Sequence, residues 1–329
     1  MPSIWWFAFG YFAFYAPYSA LAKAVSKGIL PGGQEALSGF SMLPGSVGAS
    51  LLGMIAFLLG TGWWRHATRH DVAGFKVPGP TRFTLVSGLT TATIIGTTTL
   101  AYTFDGVSIV FMMLLMRGGV LIIAPLVDVV SGRKVQWFSG VALVLSLAAL
   151  LVAFSESGGY HMKLVAMVDV FAYLSSYFVR LRLMTSKAKS DEPNANLRFF
   201  VEEQIVATPA VMVTLALLAI IGQGHMMLEI RAGFTTFWTE SGVVPHVMLI
   251  GLFSQGTGIC GGLILLDKRE NTFCVPVNRA SSILAGLVAS VILMFWLGNP
   301  LPSTYQLTGA VLIIAALLFL SIPPLLRKK

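Results

Sequence analysis

Long apolar runs alternate with short polar segments along the whole chain. Runs such as Val141–Phe154 and Val311–Leu320 contain no charged residue. A helix needs about 20 mostly apolar residues to cross a bilayer, and ten segments of this chain reach that length. The pattern therefore predicts an all-α membrane protein with ten transmembrane helices. The predicted spans are 4–24, 40–62, 83–104, 107–130, 136–155, 163–184, 198–222, 243–266, 273–297 and 303–325.

The segments between the predicted spans are short and rich in residues that favour turns. They include "PGG" at 31–33, "KVPGP" at 76–80, "DEPN" at 191–194 and "GNPLP" at 298–302. Gly, Pro, Asn and Asp are the residues that most often interrupt regular structure. No connection is long enough to hold a separate soluble domain, so we expect one membrane domain.

Composition favours a membrane protein over a large soluble enzyme. The chain of 329 residues is 56% hydrophobic and 11% charged, and its mean hydropathy is +0.80. A soluble domain carries about a quarter of charged residues. The low charge is spread over the whole length, as expected for a multi-pass protein in a lipid bilayer.

The net charge of +8 has a simple explanation in a membrane protein, because cytoplasmic loops are enriched in Lys and Arg. If the N-terminus is inside, 16 of the 22 basic residues fall in predicted cytoplasmic loops or tails, and four lie near the outer surface. This bias predicts that both termini are cytoplasmic, and it needs no nucleic-acid partner. The short loops and a first span without a basic leader favour a prokaryotic cytoplasmic (inner) membrane.

Two basic residues, Arg117 and Arg279, lie well inside predicted spans. They fall in the fourth and the ninth span, which are equivalent positions if the ten spans form two sets of five. Because five is an odd number, the two sets would cross the membrane in opposite directions. Transporters built from such inverted repeats bind their substrate near the middle of the membrane, between the repeats. We expect one five-span repeat at 1–157 and a second at 158–329.

A charge at the centre of a bilayer costs at least about 2.5 kcal/mol, so both arginines need a compensating interaction. A guanidinium group presents a planar set of donors that suits carboxylate and phosphate groups. One hypothesis is that Arg117 and Arg279 together bind an anionic group of a transported molecule. The alternative is that carboxylates of the helix bundle neutralise them. The candidates for that role are Asp128, Asp169, Glu202 and Glu203.

Aromatic residues recur on one face of two predicted spans. Tyr11, Tyr15 and Tyr18 share a face of the first span, and Tyr173 and Tyr177 share a face of the sixth. Stripes at this spacing usually pack against other helices, but these two occupy matched places in the two predicted repeats. The further candidates for contact with substrate are Tyr18, Tyr173, Gln255 and Asn278.

The acidic residues near the spans receive different interpretations. Asp169 is a candidate for proton coupling, or for an ion pair with an arginine, because buried carboxyl groups can carry a proton. Glu202 and Glu203 are expected to form a solvated helix start, where the helix dipole favours negative charge. Asp128 is expected to pair with the basic residues of "SGRK" at 131–134.

The sequence contains no signature of an enzyme or of an ATP-driven pump. It has no G-x-x-x-x-G-K-[ST] loop, no H-E-x-x-H and no nucleophile elbow. The two cysteines, Cys260 and Cys274, form neither a metal-ligand cluster nor a disulfide framework. We therefore expect a protein that is not an enzyme and that needs no cofactor and no metal.

The chain resembles the drug/metabolite transporter superfamily, in its EamA-like and its nucleotide-sugar and sugar-phosphate transporter-like branches. The stretches that carry the resemblance are "LMRGGVLIIAPLVDVVSGRKVQWFSGVALVLSLAALLVAF" at 115–154 and "LTGAVLIIAALLFL" at 307–320. Each is similar to the end of a five-helix repeat, with a short charged turn before a final span that contains Gly. The resemblance implies ten spans in two inverted repeats. It also implies that Arg117 and Arg279 face an anionic substrate, as do basic residues of spans four and nine in the nucleotide-sugar and sugar-phosphate carriers.

Together these features predict a secondary transporter that moves a small organic anion, possibly phosphorylated, by alternating access. The expected partners are that small molecule and the lipid bilayer, with the protein as a monomer or homodimer. Three alternatives remain open at this stage. They are an exporter of amino acids or amphipathic metabolites with structural arginines, a flippase for lipid-linked phosphates, and a membrane protein without transport activity.

Overall fold

A computed structural model describes residues 3–30, 36–72, 74–100, 109–155, 164–240, 242–297 and 304–326. Within these ranges the chain forms twelve α-helices and one antiparallel hairpin of two strands. The helices are α1 (Ile4–Ser26), α2 (Gly39–Thr61), α3 (Arg82–Leu100), α4 (Ile109–Val130), α5 (Trp137–Ser155), α6 (Leu164–Leu183), α7 (Ala195–Ile221), α8 (Gly224–Phe234), α9 (Phe237–Glu240), α10 (Val244–Leu265), α11 (Asn271–Leu297) and α12 (Thr304–Leu326). The strands are β1 (Arg69–Val72) and β2 (Phe75–Pro78).

Ten of these helices are long, and each coincides with one of the ten apolar segments of the sequence to within a few residues at either end. The largest difference among the described residues is at the start of α7, which begins at Ala195 rather than 198. The hairpin and the short helices α8 and α9 are not predicted by hydrophobic periodicity, because they lie in polar connections. In the sequence the region 223–242 reads only as a loop.

The helical surface is compatible with an integral membrane protein. Four helices in the described ranges are long and apolar enough to cross a membrane: Gly39–Thr61, Ala195–Ile221, Val244–Leu265 and Asn271–Phe295. Large apolar side chains also point outward from the bundle, and Ile220 is 75% exposed. Soluble monomers rarely expose apolar surface on this scale, whereas lipid covers it without cost.

The long helices pack in pairs that repeat between the two halves of the chain. α1 packs on α10 and α11, and α6 packs in the same manner on α3 and α4. α2 packs on α10, whereas α7 packs on α3, and α5 packs on α12. If the first five long helices are exchanged with the last five in chain order, these pairs turn into one another.

Glycines allow the helices around the centre to approach closely. A Cβ atom at Gly251 in α10 would collide with the Ser46 carbonyl oxygen in α2. A Cβ at Gly119 in α4 would lie 2.5 Å from a methyl carbon of Leu174 in α6. Small residues at helix contacts are typical of packing in membranes, where the backbones must come close to gain dispersion energy.

Glu202 fastens the hairpin to the bundle. Its Oε1 accepts hydrogen bonds from the Thr68 amide (2.9 Å) and hydroxyl (2.6 Å), just before β1. Its Oε2 accepts from the Thr81 amide (3.1 Å) and the Thr84 hydroxyl (2.7 Å), just after β2. Glu202 is only 1% exposed, so the expectation of a solvated helix start is wrong. One carboxylate of α7 thus fixes both ends of the hairpin.

Asp128, near the end of α4, caps the start of α11. One carboxylate oxygen accepts from the Asn271 amide nitrogen (2.9 Å) and side chain (2.8 Å). The other accepts from the Thr272 amide nitrogen and hydroxyl, both at 2.7 Å. The expected pairing with the neighbouring "SGRK" is therefore wrong, and the Arg133 guanidinium donates instead to the carbonyls of Lys268 and Arg269. The unpaired amides at a helix start attract the carboxylate more strongly than a solvated cation does.

Asp128→Ala is expected to destabilise the protein by at least about 2 kcal/mol, because several buried donors lose their acceptor. The measurement is the midpoint of thermal unfolding of the purified protein in detergent. Asp191→Ala is the matched control, since this aspartate is fully exposed and contacts Lys268 only at 3.9 Å. Equal effects of the two substitutions would contradict a structural role of the Asp128 cap.

Candidate functional site: a central cavity with a buried arginine

A cavity of about 380 Å³ lies between eight of the long helices. Side chains of α1, α2, α3, α4, α6, α7, α10 and α11 line it. The volume is within the range of pockets that bind small organic molecules. Its wall combines aromatic, hydroxyl, amide and guanidinium groups, so it suits a polar ligand rather than a hydrocarbon.

Arg279 of α11 is the least compensated charge in the cavity wall. It is 7% exposed, and it forms no ion pair with any residue that the structure describes. Its Nε atom has no hydrogen-bond partner among the residues that the structure describes. Its guanidinium interacts electrostatically with the side chains of Tyr177, Tyr173 and Tyr11. These phenol groups carry no formal charge.

Arg117 of α4 contributes to the same cavity from another side. Its Nη2 donates a hydrogen bond of 2.8 Å to the Tyr15 hydroxyl. The same guanidinium carbon lies 6.0 Å from the centre of the Tyr15 ring. Both arginines therefore reach the cavity next to a tyrosine, as a pair of cations bordering one polar space.

The contacts of the two arginines are related by the exchange of the chain halves. The Arg279 guanidinium lies 5.1 Å from the centre of the Tyr177 ring, as Arg117 lies near Tyr15. In both helices another tyrosine lies one turn before the tyrosine that contacts the arginine. Tyr11 stacks on Tyr15 with ring centres 5.6 Å apart, and Tyr173 contacts Tyr177 at 4.9 Å. Aromatic faces stabilise a cation when water is excluded, so each tyrosine pair shields one arginine.

The six substrate-binding residues predicted from the sequence all line this cavity. They are Arg117, Arg279, Asn278, Gln255, Tyr18 and Tyr173. The Gln255 Oε1 accepts a hydrogen bond of 3.0 Å from Ser50, whereas its Nε2 has no partner. The Asn278 side chain donates to the Gly261 carbonyl oxygen at 3.3 Å. The Gln255 side-chain nitrogen is thus a donor that the described residues leave for a ligand.

Asp169 lies outside the cavity, in the first part of α6. It is 6% exposed, and within the described part of the chain neither carboxylate oxygen has a hydrogen-bond partner. The other three acidic candidates for neutralising the arginines are engaged elsewhere. Asp128 and Glu202 accept from backbone and hydroxyl donors, and Glu203 binds Arg180. None of the four carboxylates is the counter-charge of Arg117 or Arg279.

The ion pair of Arg180 and Glu203 is a part of the wall that sequence analysis missed. Arg180 Nε and Nη2 donate to the two Glu203 oxygens at 2.9 and 2.8 Å. Ser87 and Thr91 of α3 donate to the same carboxylate, which is fully buried. The charge count assigned Arg180 to a cytoplasmic loop, and the expected solvation of Glu203 is wrong. The sequence did hold a signal for this ion pair, because Arg180 lies inside one predicted span and Glu203 lies inside the next.

The described residues contain no group of three His, Cys, Asp or Glu side chains with the geometry of a metal site. Around the cavity the available chemistry is hydrogen bonding and charge attraction. A carboxylate or phosphate would accept from the guanidinium and amide donors without competition from a bound acid.

Comparisons with known proteins inform the fold alone. No protein-family model matches this chain, and no curated protein matches it. One solved structure, described only as "Crystal structure of protein", is similar to 98% of this chain over 98% of its own length, with a TM-score of 0.56. The sequences are 14% identical, so the likeness extends to the arrangement of helices and not to the cavity residues.

Gly261→Ala is expected to lower the unfolding temperature, whereas Gly258→Ala is not. An added Cβ at Gly261 would lie 2.7 Å from the Tyr11 ring. Overpacking of this kind forces neighbouring groups to shift and lowers the free energy of unfolding by about 1–3 kcal/mol. Gly258 also lines the cavity, but a Cβ there meets no atom within 4 Å. Ala at that position gains helix propensity of up to about 1 kcal/mol. Thermal unfolding measures both, and a shift of the same sign in both variants would contradict the tight packing at Gly261.

Proposed function

We propose that the protein is a secondary transporter of small organic anions, and that the anion binds in the central cavity against Arg279. The observation that carries this proposal is a buried guanidinium at a polar cavity with no acidic partner among the described residues. A fixed charge of this kind is unfavourable unless an anion visits it. Arg117 completes the site from α4.

We further propose that the ten long helices are ten membrane spans in two inverted repeats, as in the drug/metabolite transporter superfamily. Their lengths, their apolar outer faces and the four clear candidate spans support this. The exchange of helix pairs between the two halves supports the repeat, and so does the matched placement of Arg117 by Tyr15 and Arg279 by Tyr177.

The position of the cavity between the two proposed repeats supports alternating access. At one end of the bundle the Asp128 cap ties α4 to α11, and the Arg133 guanidinium donates to the carbonyls of Lys268 (3.1 Å) and Arg269 (3.0 Å). The cavity wall on α2 and α4 lies towards the opposite end, with Ser46 and Arg117 in the first half of their helices. Rocking of one repeat against the other would break the first set of contacts and close the second end.

Arg279→Gln is expected to weaken binding of organic anions by about 10–100-fold, because a hydrogen bond to a charged group contributes about 1.5–3 kcal/mol. Arg279→Lys retains the charge without the planar fork of donors, so it should recover only part of the affinity. The probes are succinate, glycerol 3-phosphate and inorganic phosphate, with glucose and choline as uncharged and cationic comparisons. Binding is measured by ligand-induced thermal stabilisation, and transport by uptake into liposomes.

Arg198→Gln is the control for loss of a positive charge, since Arg198 is an exposed residue paired with Glu192 outside the cavity. Normal anion uptake by the Arg279→Gln variant would contradict the proposal and favour an exporter of amphipathic metabolites with structural arginines. Stabilisation by lipid-linked phosphates alone would favour a flippase. A folded protein that no probe stabilises and that transports none would indicate a membrane protein without transport activity.

Proton coupling through Asp169 is a separate part of the proposal. A buried carboxylate without a partner is costly, and a proton from solution removes that cost. We therefore expect anion uptake to be faster when the external side of the liposome is acidic. Asp169→Asn should abolish that stimulation while leaving anion binding at Arg279 unchanged, because the residue lies outside the cavity. Uptake by the variant that still responds to the gradient would exclude this role.

A further inference from the structure

The β1–β2 hairpin has two chemically different faces. Residues that pair across an antiparallel ladder point to the same side. Val77 pairs with His70, so these two side chains share a face. Phe75 lies two residues before Val77 in β2 and therefore points to the same side. Lys76 pairs with Asp71 on the opposite face. The first face is mainly apolar and the second is charged.

The apolar face is uncovered in the described structure. Phe75 is 75% exposed and Val77 is 45% exposed. The hairpin lies outside the ten long helices, so the apolar exterior that those helices present does not account for it. A segment this short keeps an exposed Phe on a fixed strand only if something holds the backbone in place. The Glu202 clasp does so, because it binds Thr68 and Thr81 on the two sides of the hairpin.

Basic side chains lie on the charged face and at the two ends of the hairpin. Arg65 precedes the hairpin, Arg69 and Lys76 belong to it, and Arg82 begins α3, whereas Asp71 is the only acidic residue between 65 and 82. All four basic side chains are exposed. Trp64 lies beside Arg65, with the guanidinium 5.8 Å from its ring. Trp is enriched where a membrane protein passes through the headgroup region.

The hairpin is too short to leave the membrane surface. Strands of four residues span about 13 Å, and the base of the hairpin lies directly between the end of α2 and the start of α3. We infer that the hairpin is a docking surface for anionic phospholipid. In this arrangement Phe75 and Val77 enter the boundary between headgroups and acyl chains, while Arg65 and Arg82, which flank the base of the hairpin, contact lipid phosphates.

This surface is linked to the cavity through α7. Glu202 binds the hairpin, and Gln204, Ala207 and Thr208 of the same helix line the cavity. Lipid bound at the hairpin therefore fixes the position of a helix that forms the cavity wall. The inference depends on insertion of the protein into a membrane but not on anion transport. Lipid docking at the hairpin and anion transport through the cavity can therefore fail independently.

The test places a fluorescent label that responds to polarity at Phe75→Cys in the full-length protein carrying Cys260→Ala. Cys274 is fully buried and stays unlabelled. Asp71→Cys, on the opposite face, is the matched control. The protein is reconstituted in phosphatidylcholine liposomes with and without phosphatidylglycerol, and the quencher is a nitroxide attached to a lipid acyl chain.

The expected result is blue-shifted emission and strong quenching at position 75, weaker quenching at 71, and an increase at 75 when phosphatidylglycerol is present. Replacing Arg65 and Arg82 by Gln should weaken the preference for phosphatidylglycerol about fivefold for each residue removed. Equal quenching at both positions, or no effect of phosphatidylglycerol, would overturn the inference. Label self-quenching that rises with protein density would also overturn it, because a second copy of the chain would then cover the face.

Discussion

The cost of a buried positive charge governs the centre of this protein. A guanidinium removed from water loses several kcal/mol of hydration, and apolar side chains do not restore it. The described surroundings of Arg279 contain phenols and amides but no carboxylate ion pair. The tyrosine faces recover part of the lost stabilisation. Among the described residues no carboxylate supplies the rest, and an anion that enters the cavity would do so, which is the basis of the proposed transport of an anion.

The acidic residues show how the chain could have neutralised this arginine, because three of the four deep carboxylates are fully used. Asp128 caps a helix, Glu202 holds the hairpin and Glu203 pairs with Arg180 in a bidentate contact. Each binds donors that would otherwise be buried without partners, so each stabilises a junction between helices. The bundle thus neutralises buried donors at three places, whereas no described carboxylate pairs with Arg279. That contrast supports a functional role for the uncompensated charge.

Hydrophobic length predicted the helices well, since a run of 20 apolar residues has few alternatives to a helix in this setting. Counting charged residues at depth led to Arg117 and Arg279, and repeat position led to Tyr18 and Tyr173, all of which line the cavity. Side-chain partners could not be predicted in this way. Asp128 binds a helix start 143 residues away rather than its basic neighbours, and such pairing depends on tertiary contacts that local sequence does not encode. The hairpin was missed because its alternation covers only four residues per strand.

The two halves of the cavity wall carry the same elements in unequal states. Arg117 donates a hydrogen bond to the Tyr15 hydroxyl and lies 6.0 Å from its ring, whereas Arg279 is more deeply buried and lies 5.1 Å from Tyr177. In an inverted repeat, conversion to the other access state exchanges the conformations of the halves. The environment of each arginine would then change into that of the other. An anion bound between them would keep a similar set of donors throughout, so the proposed transport cycle would not have to strip the ligand of its contacts while the repeats rock.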